Sequence, residues 1–108
     1  RTGNQEDGLK LYEELTQKNE QQPEVWFNFA NALQRAGHAA KARDAFERTL
    51  KIAPQFFPAA LNLANLVRDT GHTDEAIALY QRAIVMAPSQ PKPRVNLARL
   101  LRRLQLSG

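Results

Sequence analysis

Residues Thr70–Tyr80, TGHTDEAIALY, repeat the pattern of residues Ala36–Phe46, AGHAAKARDAF, which lie 34 positions earlier. In both stretches a Gly-His pair follows the first residue, an alanine stands five positions after the glycine, and an aromatic residue closes the stretch. A fixed period of this length is the signature of a repeated supersecondary unit that buries its apolar face only against neighbouring copies. The sequence therefore predicts a repeat protein.

Other positions of the chain recur at the same interval. We call a set of residues 34 positions apart a column. One column holds asparagine (Asn28, Asn62 and Asn96), and a second holds Asn31, Asn65 and Arg99. A third holds alanine (Ala30, Ala64 and Ala98), and a fourth holds the larger apolar residues Phe29, Leu63 and Leu97. Alanine favours helix, but that preference does not explain strict columns. We interpret the alanines as sites where two helix backbones approach closely, beside the larger Trp26, Phe46 and Tyr80.

The local pattern predicts helices that pair within each unit. Apolar residues recur every three or four positions, glycine is suited to the left-handed exit from a helix at Gly37 and Gly71, and proline cannot continue a helix at Pro54 and Pro88. Thr73 is a candidate N-cap. We expect six helices, over about Gln5–Lys18, Pro23–Ala36, Ala39–Ala53 and Pro58–Thr70, from Thr73 to before Pro88, and over Pro91–Gln105.

The repeated unit resembles the tetratricopeptide repeat, a 34-residue helix–turn–helix. One unit matches that family at Trp26, Phe29-Ala30, Gly37, Ala42, Phe46 and Pro54, and the next at Leu63-Ala64, Gly71, Ala76, Tyr80, Ala83 and Pro88. Ala60 replaces the early aromatic residue, and Thr49 replaces an alanine. The resemblance implies an all-α fold, a right-handed α-solenoid of antiparallel helix pairs.

The resemblance also divides the chain. Residues 1–22 are expected to be the second helix of a truncated repeat, beginning at a turn marked by Gly3; residues 23–56 and 57–90 full units; and residues 91–108 a final first-type or capping helix. Because a cut array leaves its end helices uncovered, we expect exposed leucines at the two ends. They are Leu9, Leu11 and Leu15 at one end and Leu100, Leu101 and Leu104 at the other.

In the tetratricopeptide family the first helix of each repeat lines a concave surface that contacts partners. The residues predicted to bind a peptide there are Phe27, Asn28, Asn31, Leu61, Asn62, Asn65, Arg68, Lys92, Asn96 and Arg99. A side-chain amide both donates and accepts hydrogen bonds, so the asparagine column suits the backbone of an extended peptide. The column resembles the asparagine ladder in the repeat arm of O-GlcNAc transferase, which implies peptide recognition and not sugar transfer. The alternative is that these amides bond only water or neighbouring helices.

A second family comparison is the carboxylate clamp, with which some of these domains hold the C-terminal carboxylate of heat-shock chaperones. Asn31, Asn62 and Lys92 stand at clamp positions, but Phe27 and Asn96 replace a lysine and an arginine. Two charged donors are therefore missing, although Arg99 lies one turn further on. The sequence favours the asparagine column over the clamp.

The net charge of +4 is unevenly distributed. Residues 1–24 sum to −3, residues 25–89 to +2, and residues 90–108 to +5 without an acidic residue. This gradient favours an acidic partner, although a solvated helix face explains it as well. Nucleic acid is disfavoured because the aromatic residues are assigned to packing and leave no stacking platform. No apolar run reaches the roughly 18 residues of a membrane span.

The sequence predicts neither catalysis nor a cofactor. There is no cysteine, and His38 and His72 are the only histidines, which is too few for a usual metal site. No nucleophile–histidine–acid set or phosphate loop can be assembled. We predict a non-catalytic protein–protein interaction module. The alternatives are self-association through the end helices and a regulatory arm of a larger enzyme.

Overall fold

The computed structural model describes residues 2–107, with side chains from residue 5 to residue 106. This part of the chain forms six helices and no strand, which confirms the prediction of an all-α helical repeat. The helices are α1 (Thr2–Lys18), α2 (Pro23–Arg35), α3 (Ala39–Ile52), α4 (Phe57–Asp69), α5 (Thr73–Met86) and α6 (Pro91–Ser107). The division into repeats after residues 22, 56 and 90 stays a prediction, and its outermost residues, Arg1 and Gly108, lie outside the described range.

Two predictions about helix starts are wrong. The first helix begins at Thr2, so Gly3 lies within a helix and not in a turn. Thr73 is not an N-cap but the first helical residue of α5. The cap residue is His72, whose carbonyl accepts the first intrahelical hydrogen bond, from the N–H of Ala76 at 2.9 Å.

The repeated glycines end their helices as predicted. Gly37 and Gly71 have φ angles of 86° and 89°, a region that residues with a Cβ avoid. After α2, the N–H of Gly37 bonds to the carbonyl of Gln34 at 3.0 Å and that of His38 to Leu33 at 2.9 Å. The same two bonds follow α4, and together they form the Schellman motif that satisfies terminal carbonyls. In each repeat, therefore, the Gly-His pair terminates the preceding helix.

The chain divides into two compact units, Arg1–Ala59 and Ala60–Gly108. In unit 1, α2 packs against both α1 and α3. Its buried core includes the expected alanines, with Ala30 and Ala42 fully inaccessible to solvent, beside Phe46. The two threonines in this interior are satisfied by backbone carbonyls of their own helices: Thr16 donates to Glu13 at 2.8 Å and Thr49 to Ala45 at 2.9 Å.

Unit 2 repeats this arrangement of small and large residues. Ala64, Ala76 and Tyr80 are fully buried, and α5 packs against α6. Ala98 belongs to the same column as Ala64, yet it is exposed on α6. No helix of residues 60–107 covers that face of α6.

The exposed leucines follow the prediction with one exception. Leu11 and Leu15 on α1 are 61% and 45% exposed, and Leu101 and Leu104 on α6 are 47% and 39% exposed. Leu9 is half-buried. The exception is Leu100, which is only 4% exposed because it lies on the same helix face as the buried Pro93 and the half-buried Leu97. Within residues 2–107, no helix combines the length and hydropathy that a membrane crossing requires.

Candidate functional site

A pocket of about 440 Å³ in unit 2 brings together six of the ten predicted binding residues. The side chains that line it come from α4 and from the first half of α6: Leu61, Asn62, Asn65, Pro91, Lys92, Val95, Asn96 and Arg99. On each helix these residues recur every three or four positions, so they share one face. The pocket therefore lies where two first helices present the same register positions.

A hydrogen-bond network in this unit converges on the side-chain oxygen of Asn65. Arg68 Nη1 donates to Asn65 Oδ1 at 3.4 Å, and Asn96 Nδ2 donates to the same oxygen at 3.1 Å. The Tyr80 hydroxyl donates to it as well, and itself accepts a bond from Arg68 Nη1 at 3.0 Å. Residues of α4, α5 and α6 thus meet at one acceptor atom.

The network determines which polar atoms remain for a ligand. Arginine only donates hydrogen bonds, so the Asn65 atom that it contacts must be the oxygen and the opposite atom the NH₂ group. The hydrogen bonds of this network use the Oδ1 atom of Asn65 and the Nδ2 atom of Asn96, so Asn65 Nδ2 and Asn96 Oδ1 take no part in it. The two asparagines therefore offer the pocket a donor and an acceptor.

The pocket is positively charged. Lys92 and Arg99 are both exposed, and no acidic side chain is among the lining residues. Leu61 and Val95 add apolar surface to the pocket. Leu61 is 7% exposed to solvent and Val95 is 44% exposed. An anionic group with a neighbouring apolar side chain matches this combination.

Arg68, also among the ten, is engaged within the protein. Its Nε donates to Asp69 Oδ1 at 2.9 Å, and its Nη1 bonds to Tyr80 and Asn65 as described. The hydrogen bond to Asp69 raises the pKa of the Arg68 guanidinium above its ordinary value, against the opposing effect of burial. Arg68 is not a lining residue of the pocket.

The other three predicted residues lie on α2 in unit 1. The Phe27 ring is half-buried, with its centroid 6.1 Å from that of Phe46 and 5.2 Å from that of Phe56. Asn28 is exposed and Asn31 is half-buried. Phe27 thus combines a packing contact within unit 1 with some accessible ring surface.

The family follows from comparison with known proteins. Residues 1–101 match the sequence model of the middle TPR-like domain of cilia and flagella-associated protein 70. The chain belongs to this TPR-like family. The resemblance to tetratricopeptide repeats is therefore confirmed, while no sequence among the curated proteins matches the chain.

Solved TPR structures share the fold at low sequence identity. The first TPR of Spaghetti (RPAP3), bound to the HSP90 peptide SRMEEVD, has a TM-score of 0.86 and 16% identity over 96% of this chain and 82% of that one. The Arabidopsis OM64 TPR domain has a TM-score of 0.82 and 19% identity over 92% and 82%. MamA has a TM-score of 0.86 and 13% identity, over 96% of this chain and 61% of that one. At these identities the likeness concerns the fold alone.

The TPR-like fold also forms a groove that sequence reasoning missed. Two pockets of about 340 and 240 Å³ in unit 1 share the lining residues Glu13, Phe29, Leu33 and Lys41, contributed by α1, α2 and α3. Trp26 lines the larger one, where its ring centroid lies 5.2 Å from the Arg48 guanidinium. The spacing of Trp26 and Phe29 predicted that both side chains are buried. In the structure both are half-exposed, because they line a groove between three packed helices.

The two histidines of this TPR-like chain serve its helix ends. His38 and His72 are each the residue that precedes a second helix, and His72 Nδ1 lies 3.1 Å from the Thr70 hydroxyl. No group of three metal-binding side chains occurs among the described residues.

Proposed function

We propose that the chain is a non-catalytic protein-interaction module that binds an extended, acidic peptide segment. The segment lies on the first-helix face that the sequence predicts to be concave. The observation that carries the proposal is the positively charged pocket of unit 2, in which three amides, a lysine and an arginine line one cavity with no acidic side chain among its lining residues.

The amides suit the backbone of such a segment. A peptide group has one carbonyl acceptor and one N–H donor. Asn65 Nδ2 offers the complementary donor and Asn96 Oδ1 the complementary acceptor. Backbone recognition of this kind gives affinity with little dependence on the peptide sequence.

The charges of Lys92 and Arg99 make the pocket selective among the peptide segments whose backbone the amides can bind. Lys92 and Arg99 are exposed, so each gains only a modest energy from a carboxylate, and that energy decreases with salt. Their main effect is to attract acidic segments and to repel basic ones. Leu61 and Val95 supply the contact for an apolar side chain of the segment.

We further propose an internal segment and not a free C-terminus as the ligand. The first TPR of Spaghetti is bound to the HSP90 peptide SRMEEVD. In this chain Phe27 and Asn96 replace two cations of the carboxylate clamp, and the Phe27 ring packs on Phe46 and Phe56. The remaining donors match a backbone and side-chain carboxylates.

A display library of linear 12-residue peptides with both ends blocked tests the proposal. We expect selection of acidic sequences with interspersed apolar residues. The triple variant Asn28→Ala, Asn62→Ala and Asn96→Ala should bind the selected peptides at least tenfold more weakly while keeping its helical circular dichroism. The matched control is Gln17→Ala, Gln55→Ala and Gln81→Ala, at exposed positions away from the first helices. Equal binding by the two triple variants would refute the proposal.

A second candidate function is self-association, favoured by the exposed leucines. Leu11 and Leu15 lie in the acidic part of the chain, and Leu101 and Leu104 lie in its basic part. A head-to-tail contact between copies would pair apolar surface and opposite charge together, and would extend into filaments unless it closes. Sedimentation from 10 μM to 1 mM tests it. A strict monomer over about this range removes the candidate, whereas association that Leu101→Glu abolishes supports it.

A further inference from the structure

Tyr80 and Arg68 are not lining residues of the pocket of unit 2, but each donates a hydrogen bond to one of its lining residues, Asn65. We infer that these two are positioning residues, which hold the Asn65 side chain so that it offers a ligand only hydrogen-bond donors. The inference rests on the proposed function, because it names what this site demands of a peptide: an acceptor, a carbonyl or carboxylate oxygen, opposite Asn65.

The restraint comes from three helices. Arg68 Nη1 of α4, the Tyr80 hydroxyl of α5 and Asn96 Nδ2 of α6 all donate to Asn65 Oδ1. Arg68 is itself held by Asp69 at 2.9 Å. If the amide flipped, its NH₂ group would face Arg68, which accepts no hydrogen bond. The flipped state would also leave the buried hydroxyl of Tyr80 without its acceptor, which is costly.

Unit 1 carries different residues at the repeat positions of Tyr80 and Arg68. Asn31 and Phe46 occupy the repeat positions of Asn65 and Tyr80, and Gln34 occupies that of Arg68. Phe46 has no hydroxyl, and it is as fully buried as Tyr80. A phenylalanine therefore fits this position of the fold. Tyr80→Phe removes one of the three hydrogen bonds that restrain Asn65 Oδ1 and should preserve the packing.

Nuclear magnetic resonance of the Asn65 side-chain NH₂ group tests the inference. In the wild type we expect a restrained amide, with a high order parameter on the nanosecond timescale. Tyr80→Phe should lower this order parameter, and the control variant Tyr12→Phe should not. An Asn65 amide that is equally restrained, or equally mobile, in the wild type and in Tyr80→Phe overturns the inference.

Binding of two small probes tests the donor-only character. N-acetyl-glutamate N-methylamide carries peptide carbonyls and a carboxylate, and N-acetyl-glutamine N-methylamide is its neutral analogue. We expect Tyr80→Phe to weaken both by about fivefold, the value of one oriented hydrogen bond. Asn65→Asp keeps an acceptor for Tyr80, Arg68 and Asn96 but has no donor, so it should lose binding of the neutral probe as well. Retained binding of the neutral probe by Asn65→Asp overturns the inference.

The two proposals fail in distinguishable ways. If the wild type binds neither probe and no library peptide, the proposed function fails. The positioning role is then judged by the spectra alone: an amide that Tyr80→Phe releases supports it, and one that this variant leaves unchanged overturns it.

Discussion

The hydroxyl of Tyr80 on α5 donates a hydrogen bond to the side-chain oxygen of Asn65 on α4, 15 residues earlier in the chain. This bond connects a residue that the repeat pattern assigns to the core with one that it assigns to the binding face. Tyr80 is fully buried, and Asn65 is half-buried at the rim of a pocket. The core of unit 2 is therefore bonded directly to a lining residue of its pocket.

The first prediction concerns the pH dependence of stability. Burial raises the pKa of Tyr80 above its ordinary value, although the Arg68 guanidinium opposes this shift. Because the folded-state pKa is raised, the neutral phenol stabilises the native state. That contribution is complete below the unfolded-state pKa of about 10 and is lost as the pH rises through the folded-state pKa. Urea unfolding should therefore show a decrease in the free energy of unfolding in alkaline solution, which Tyr80→Phe reduces. An identical alkaline decrease in the variant would contradict the prediction.

The second prediction compares three glycines. Gly37 and Gly71 have positive φ angles, and a Cβ added at either meets no atom within 4 Å, so the cost of alanine there is backbone strain alone. We expect Gly37→Ala and Gly71→Ala each to lower the free energy of unfolding by about 1–2 kcal/mol. Gly8 lies within α1 and is equally uncrowded. Gly8→Ala should raise stability by up to about 1 kcal/mol. Thermal unfolding of the three variants measures the contrast, and a common sign for all three would be inconsistent with it.

The third prediction uses the alanine column. Ala64 is fully buried, so Ala64→Leu must force larger atoms into a packed interior and should cost about 1–3 kcal/mol. Ala98 occupies the same repeat position on α6 but is exposed. Ala98→Leu should change stability by less than about 0.5 kcal/mol. Denaturant midpoints of the two variants decide the matter, and equal losses would show that Ala98 is covered in solution.

The fourth prediction concerns the charges of α6. Lys92 and Arg99 line the pocket, whereas Arg102 is exposed on the same helix outside it. Lys92→Gln and Arg99→Gln should each weaken binding of an acidic library peptide by about threefold in 50 mM salt and by less in 500 mM salt. Arg102→Gln serves as the charge-matched control. Calorimetric titration that finds equal losses for all three would indicate a diffuse charge effect and not a site.

The sequence predicted the elements whose cause is local. A glycine with a positive φ and a proline after a helix each act within a few positions of the chain, and Gly37, Gly71 and the six helices were placed correctly. The N-cap was misplaced by one residue. The carbonyl that accepts the first hydrogen bond of α5 belongs to His72, which also closes the turn before it.

The parts of the site that sequence reasoning did not give depend on several helices at once. Arg68 as a binding residue stays a prediction, whereas its hydrogen bonds to Asp69, Asn65 and the hydroxyl of Tyr80 on another helix were not predicted. The burial of Leu100 and the groove beside Trp26 arise in the same way. The sequence pattern of one helix shows which residues share a face, but it does not show which side chains of other helices contact that face.

Trp26 is the only tryptophan of the chain, and its environment lies entirely within unit 1. Its indole N–H donates to the Glu20 carbonyl at 3.0 Å, and its ring contacts Phe29 and Arg48. Intrinsic fluorescence is consequently an optical probe of one half of the molecule, while far-ultraviolet circular dichroism averages over both. Superimposable melting curves from the two signals would establish a single cooperative transition, and separated midpoints would establish that the halves melt in sequence.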